Sequence, residues 1–193
     1  MKLIGRLIGK GYEIELQPVA DAWPIVVDPS QFAASITNLA TNARDAMPGG
    51  GRLAIAVANR VLDTGYVQEH PEAKVGEYVE IAVSDSGTGM PPEIVQRIFE
   101  PFFTTKETGK GTGLGLATVY GIVKQSGGDI WVYSEPDQGS TFKIHFPRLQ
   151  SAIASGPTVK PVVNANSGWV ARCQAIFSSA VGSIRSSASS WKT

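Results

Sequence analysis

The chain has 193 residues, 42% of them hydrophobic, and 17 Lys and Arg balance 17 Asp and Glu. That length buries one sizeable core with room for an appendage, and the even charge leaves no electrostatic footprint for nucleic acid or for a membrane surface. A lone cysteine, Cys173, excludes an intrachain disulfide framework, and no apolar run approaches the ~20 residues of a membrane helix, so a cytoplasmic location is expected.

The N-terminal "MKLIGRLIGK" is too short and too broken by Gly and Lys for a signal peptide. The first predicted element is a strand in "GYEIELQPV", where Tyr12, Ile14 and Leu16 alternate with Glu13 and Glu15. "PIVVD" reads as a second short strand or an extended piece. A helix start follows, with Asp28 as cap, Pro29 at the first helical position and Gln31 placed for a capping box. Its apolar stripe is Phe32, Ile36, Leu39, Ala40 and Ala43, and "PGGG" after Met47 stops it.

"RLAIAVANRV" and "YVEIAVSD" predict an antiparallel hairpin around a polar insertion that holds Pro71 and Gly76. "PPEIVQRIF" predicts a short helix begun by proline. "LGLATVYGIVKQSGG" predicts a helix closed by Gly127 and Gly128. "DIWVYSE" and "STFKIHFP" form a last hairpin around Pro136 to Gly139. The expected fold is an α/β two-layer sandwich with a mixed, mostly antiparallel sheet. After Asp137 there is no Asp or Glu, and Ser, Ala, Gly and Val dominate from Arg148. Residues 1–147 are therefore expected to be the folded domain, and 148–193 a low-complexity tail, disordered or partly helical, with Trp169, Cys173, Ile176, Phe177 and Ile184 on one helical face.

Three stretches carry candidate chemistry. Asn38, Asn42 and Asp45 stand four and three apart and share one helix face. Either that face is simply solvated, or it supplies oxygen ligands to Mg²⁺. "DSGTGM" sets Asp85 at a strand end, as an ordinary turn or as an acceptor for an exocyclic amine. "FEPFFTTKETGKG" joins Phe99, Phe102 and Phe103 to a polar stretch. The aromatics would anchor a lid there, and Lys106 and Lys110 would meet phosphates when it closes. The glycines at 109, 111, 113 and 115 fit neither a G-x-G-x-x-G nor a P-loop register.

Read in order, "NLATNARDAM", "DSGTGMPPE", "FEPFFTTK" and "GKGTGLGLATVYGIVKQSGG" resemble the N, first glycine, F and second glycine boxes of sensor histidine kinases. "DQGSTFKIHFP" resembles the closing box of the same ATP-binding domain, and the similarity spans about residues 10–147. The resemblance implies the Bergerat-type fold of the group that also holds gyrase, Hsp90 and MutL-type ATPases, with ATP and Mg²⁺ as cofactors. It implies Asn42 as metal ligand, with Asn38 near the phosphates and Asp45 beside them. Asp85 would bind the adenine amine in a pocket shaped by Gly87, Gly89 and Met90, with Phe99 at the lid's root and Thr141 near the base. Gly111, Thr112, Gly113, Leu114, Gly115 and Leu116 would form the lid's end and the start of a phosphate-binding helix.

Related ATPases carry a glutamate as general base where Asn38 stands, so the resemblance implies ATP held for transfer rather than rapidly hydrolysed. The other readings are a related ATPase, an anti-sigma-type serine kinase, and a non-catalytic binding module. The acceptor histidine is expected on a dimerisation domain supplied in trans or lost from this sequence, with a receiver domain downstream. His70 lies in the polar insertion beside Pro71. His145 alternates with Ile144 and Phe146, so it is expected to face outward from the core, and neither suits the acceptor role. The acid-free tail is not a receiver.

Overall fold

The computed structural model of the chain describes residues 8–9, 11–70, 73–107 and 111–150. In chain order these form β1 (Tyr12–Gln17), α1 (Pro29–Ala46), β2 (Gly51–Leu62), α2 (Thr64–Glu69), β3 (Gly76–Asp85), α3 (Pro92–Val95), α4 (Gly115–Gln125), β4 (Asp129–Glu135) and β5 (Gly139–Pro147). The five strands lie in the order β1-β2-β3-β5-β4. Only β1 and β2 pair parallel, joined through the crossover helix α1, and every other pair is antiparallel. The sheet is mixed and mostly antiparallel, as expected.

Asp28 starts α1 by accepting from the backbone N–H groups of Ser30 and Gln31, and Pro29 occupies the first turn, where a missing donor costs nothing. The buried stripe Ile36, Leu39, Ala40 and Ala43 then packs α1 on the sheet. The strands meet it with every second residue: Leu53 and Ile55, Ile81 and Val83, then Phe142, Ile144 and Phe146. Val119 and Val123 of α4 complete this core, and each such fully buried side chain contributes about 1.5–3 kcal/mol.

"PIVVD" forms no strand. The carboxamide of Asn59 on β2 reaches across to this stretch, accepting from Trp23 N–H at 2.9 Å and donating to Asp21 C=O at 2.8 Å, so a side chain replaces the backbone ladder. Beyond Pro147 the chain stays attached through residue 149. Arg148 N–H donates to Glu77 C=O, its guanidinium lies over the Trp23 ring, and Leu149 N–H donates to Pro24 C=O. The helical face expected around Trp169 lies outside the described residues. Among the described residues no helix is long and apolar enough to cross a membrane.

The opposite sheet face corrects one expectation. His145 does point away from the helix layer, but its exposure is 0%. The insertion between β2 and β3 folds back as α2, and Tyr66, Tyr78 and Trp131 close around the imidazole, with ring centroids 4.9–6.2 Å from it. Alternation names a face; it does not reveal that an insertion covers it.

Glu80 is the register partner of His145, and its carboxylate accepts from His145 Nε2 at 3.0 Å and from Arg60 Nε at 3.1 Å. The His145 hydrogen bond, with help from Arg60, outweighs burial and holds the Glu80 carboxyl at about 2, below its ordinary 4.5. A depressed value means stability present above 4.5 and lost as pH falls through about 2. Glu80→Gln should therefore cost about 1–3 kcal/mol at pH 7. Urea melts at pH 7, 4 and 3 should show the gap between variant and wild type shrinking toward acid.

Candidate functional site

The α1 stripe that seats the helix also fixes what lies beside it. Asn42 and Asp45 flank buried Ala43 and face an open cleft of about 590 Å³, within the range of about 300–1,000 Å³ usual for small-molecule sites. The cleft runs from α1 to the end of β3, and its remaining walls come from the loop after β3, the segment after Phe103 and the start of α4. One part of its lining is apolar, with Met90, Ile94, Leu116 and Phe142; another is polar, with Thr41, Asn42, Thr104 and Lys106. An amphiphilic ligand suits such a division.

Asp85 ends β3 inside this cleft. Burial pushes its carboxyl above the ordinary 3.8, against the lowering effect of backbone N–H groups of Gly87 and Ser140. The Gly87 N–H donates to Oδ1 at 2.9 Å, and a carboxylate with about four acceptor sites can still take a ligand donor beside its backbone partners. Gly89 has φ +63°, and a Cβ there would run into the carbonyl oxygen of Glu135. Its neighbours tie the same loop to the β4–β5 hairpin: Asp137 N–H donates to Thr88 C=O and Met90 N–H to Ser134 Oγ, both at 2.8 Å. The glycine is thus needed for close packing of loop on hairpin.

At the polar end the Lys106 ammonium donates to Asp45 Oδ2 at 2.6 Å and to Asn42 Oδ1 at 3.3 Å, while Arg44 Nη2 holds Asp45 Oδ1 at 2.8 Å. Burial raises the Asp45 carboxyl, but the hydrogen bonds and charges of Lys106 and Arg44 together bring it below its ordinary value. These are partly exposed pairs, worth about 0–1 kcal/mol each, so they position more than they stabilise. An amide oxygen and a carboxylate oxygen are hard ligands of the kind Mg²⁺ takes, and the ammonium shows that a cation fits between them. Among the described residues no three His, Cys, Asp or Glu side chains group to hold a metal, so an ion there would need water or phosphate oxygens as well.

Of the residues singled out from sequence, Asn42, Asp45, Asp85, Gly89, Met90, Lys106, Gly111, Thr112, Gly113 and Leu116 line this one cleft. Lys110 lies outside the described residues. The Asn38 amide donates to Gly115 C=O at 3.4 Å, which joins α1 to the first turn of α4 rather than facing the cleft. Gly87 supports Asp85 from behind, Phe99 stacks on Tyr120 with centroids 5.3 Å apart, and Leu114 is exposed. Thr141 is on the other sheet face, its hydroxyl bonded to Ser84 Oγ at 2.9 Å. Ser140 and Phe142, one residue to either side, line the cleft instead, because neighbouring strand residues point oppositely. Strand parity was the signal that would have found them, counted from buried Ile144.

The second glycine box has a packing role too. Gly113, at φ +66°, lies so close to Phe102 that any Cβ would strike its backbone, and Phe102 N–H donates to Gly113 C=O at 2.9 Å. This contact closes the root of the segment that carries Lys106.

An α/β sandwich whose cleft, between helix layer and sheet end, offers both apolar and charged lining suits a ligand with a flat apolar part and a charged part, as a nucleotide has. The match to the family described as histidine kinase-, DNA gyrase B- and HSP90-like ATPase covers residues 27–150, and the chain belongs to that family. It is 48% identical over 147 residues to the sensor kinase CckA of Brucella abortus (strain 2308), covering 76% of this chain and 16% of that protein. Among solved structures, the nucleotide-free catalytic domain of histidine kinase ThkA superposes with a TM-score of 0.57 at 25% identity, covering 76% of this chain and 84% of that one. Full-length ShkA, crystallised in complex with AMPPNP, gives 0.56 at 28% identity over 81% of this chain and 30% of that one. The described fold is thus an ATP-binding catalytic domain of the sensor-kinase kind. The chain spans about a sixth of the length of the first curated relatives.

A carboxyl raised by burial costs stability as pH rises through its pKa, because ionisation is then forced on a desolvated group. Asp85→Asn should therefore leave the melting temperature at pH 7 unchanged or raise it by up to about 4 °C. Scanning calorimetry at pH 7 and pH 4 checks this; a marked drop at pH 7 would contradict it.

Proposed function

We propose that this domain binds Mg·ATP in the cleft and presents the γ-phosphate to a histidine on a dimerisation domain, within a longer protein or on another chain. A response-regulator receiver would take it next, in the cytoplasm. One observation carries the reading: a single cavity is lined both by the half-buried carboxylate of Asp85 and by the oxygen pair of Asn42 and Asp45, already holding a cation.

In this reading Asp85 accepts from the adenine amine, with Met90 and Phe142 against the base. The N-terminus of α4, with its unpaired N–H groups, favours the phosphate charge. Asn42 would hold Mg²⁺, which when bound would neutralise phosphate charge. Transfer is favoured over hydrolysis by the state of the lining acids. Among the described residues lining the cleft, Asp45 and Asp85 are the only carboxylates. The first is paired with the Arg44 guanidinium whether or not Lys106 holds it, and the second is committed to the base. Neither is placed to deprotonate water, and Asn38 cannot. What remains is positioning and charge neutralisation, which suffice for phosphoryl transfer.

Titration calorimetry should show Mg·ATP binding that weakens about 10–100-fold in Asp85→Ala and Asn42→Ala, the loss expected of one charge-assisted contact. Mixing the domain with a helical histidine domain and ATP should yield acid-labile phosphate. Indifference of the wild type to ATP sinks the nucleotide reading, and steady phosphate release without any partner replaces transfer by hydrolysis.

A further inference from the structure

The Lys106 ammonium occupies the place that the proposed metal needs. It lies 2.6 Å from Asp45 Oδ2 and 3.3 Å from Asn42 Oδ1, reaching across 61 and 64 residues of sequence. The reach is built. Phe102 and Gly113 close the root of the segment, the Arg97 guanidinium covers the Phe103 ring at 4.4 Å, and Lys106 N–H donates to Thr104 Oγ1 at 3.2 Å, turning the stem toward α1. A divalent ion on the same amide oxygen would sit at ~2.1 Å and demand octahedral space of its own. The ammonium and such an ion cannot share these oxygens, both for lack of room and because like charges repel.

We propose that Lys106 is the resting occupant of the metal position, released only when Mg²⁺ arrives with nucleotide, so that its ammonium exchanges the oxygens of Asp45 and Asn42 for a phosphate. This rests on the Mg·ATP reading and adds an order of events to it. Metal alone competes with a tethered cation and gains little. Metal with ATP brings phosphate oxygens as new partners for the displaced lysine, so its ammonium is not left unpaired. Lys106 is thereby a positioning residue in the empty domain, and it couples the segment after Phe103 to what the cleft holds.

The test uses Mn²⁺ as a paramagnetic stand-in, titrated into the nucleotide-free chain and read by electron paramagnetic resonance. Lys106→Met and Lys106→Gln should bind Mn²⁺ at least threefold more tightly than wild type, and adding Asp45→Asn to either should abolish the gain. Melting curves confirm that the variants are folded, and two neutral side chains guard against a defect peculiar to one. No tightening in either folded variant overturns the proposal, whether Mn²⁺ binds equally or not at all. Calorimetry with Mg·ATP on the wild type separates the two readings. Binding there without tightening in the variants leaves the nucleotide site standing and removes the resting occupant. Tightening without ATP binding leaves Lys106 as the resting cation but overturns the nucleotide reading and, with it, the release step.

Discussion

The seating of α1 on the sheet is the constraint from which the site follows. Ala40 and Ala43 are small residues of the buried stripe, and they let the helix backbone pack closely on the core that Ile81 and Val83 of β3 share. With that face committed, the helical repeat leaves no choice about where Asn42 and Asp45 go: they stand beside the contact, over the end of β3. Thr88 N–H donates to Ala46 C=O at 3.0 Å, which fastens the loop carrying Asp85 to the last turn of the same helix. One apolar packing event therefore brings the two polar ends of the cleft into a fixed relation. A larger residue at position 40 or 43 would move both ends at once.

Holding a carboxylate inside this frame is costly, and the surrounding backbone is arranged to limit the cost. Asp85 is desolvated, and the two N–H groups that it receives, from Gly87 and Ser140, do not fully offset burial. Its residual acceptor capacity is what a ligand would use. Glu80, a few residues earlier on the same strand and on the opposite face, is also largely buried but has His145 and Arg60 as partners, and its pKa falls instead of rising. The same residue class on one strand thus serves two ends. Full pairing makes Glu80 a polar tie between β2, β3 and β5, and incomplete pairing keeps Asp85 available.

Much of this was legible from the order of residues. The cap at Asp28, the stripe of α1, the two hairpins and the helix closed by Gly127 follow from local rules that the tertiary fold does not override. The clustering of Asn42, Asp45, Asp85 and Lys106 was readable too, but through the resemblance of ordered motifs and not through any spacing alone. What was not legible depends on contacts between distant segments. Thr141 and Ser140 differ by one position, and only the register of β5 against β3 and β4 decides which hydroxyl meets the cleft. His145 is buried because the polar insertion between β2 and β3 folds back over it, with Tyr66 supplying part of the cover. The glycines at 89 and 113 read as room for a ligand, whereas their nearest constraint is the backbone of Glu135 and of Phe102.

The two sheet faces also explain why the cleft opens on one side alone among the described elements. On the face turned from α1 and α4, the insertion's aromatics fill the space above Glu80 and His145, and the second small cluster of Leu62, Ala73 and Tyr78 leaves Trp131 and Tyr66 packed against it. On the helix face, the Asn38 amide of α1 meets the Gly115 carbonyl of α4, and described residues between α3 and α4, among them Ile98, Phe103 to Lys106 and Gly111 to Gly113, line the cleft. The polar side of that cleft is then held by charge: Lys106 and Arg44 share one carboxylate, Asp45, oxygen by oxygen. A site held by partly exposed ion pairs is easily rearranged, since each contributes little on its own. A rigid apolar wall on one side and an exchangeable ionic one on the other is the division of labour expected where a flat base must be gripped and a charged tail must be admitted and released.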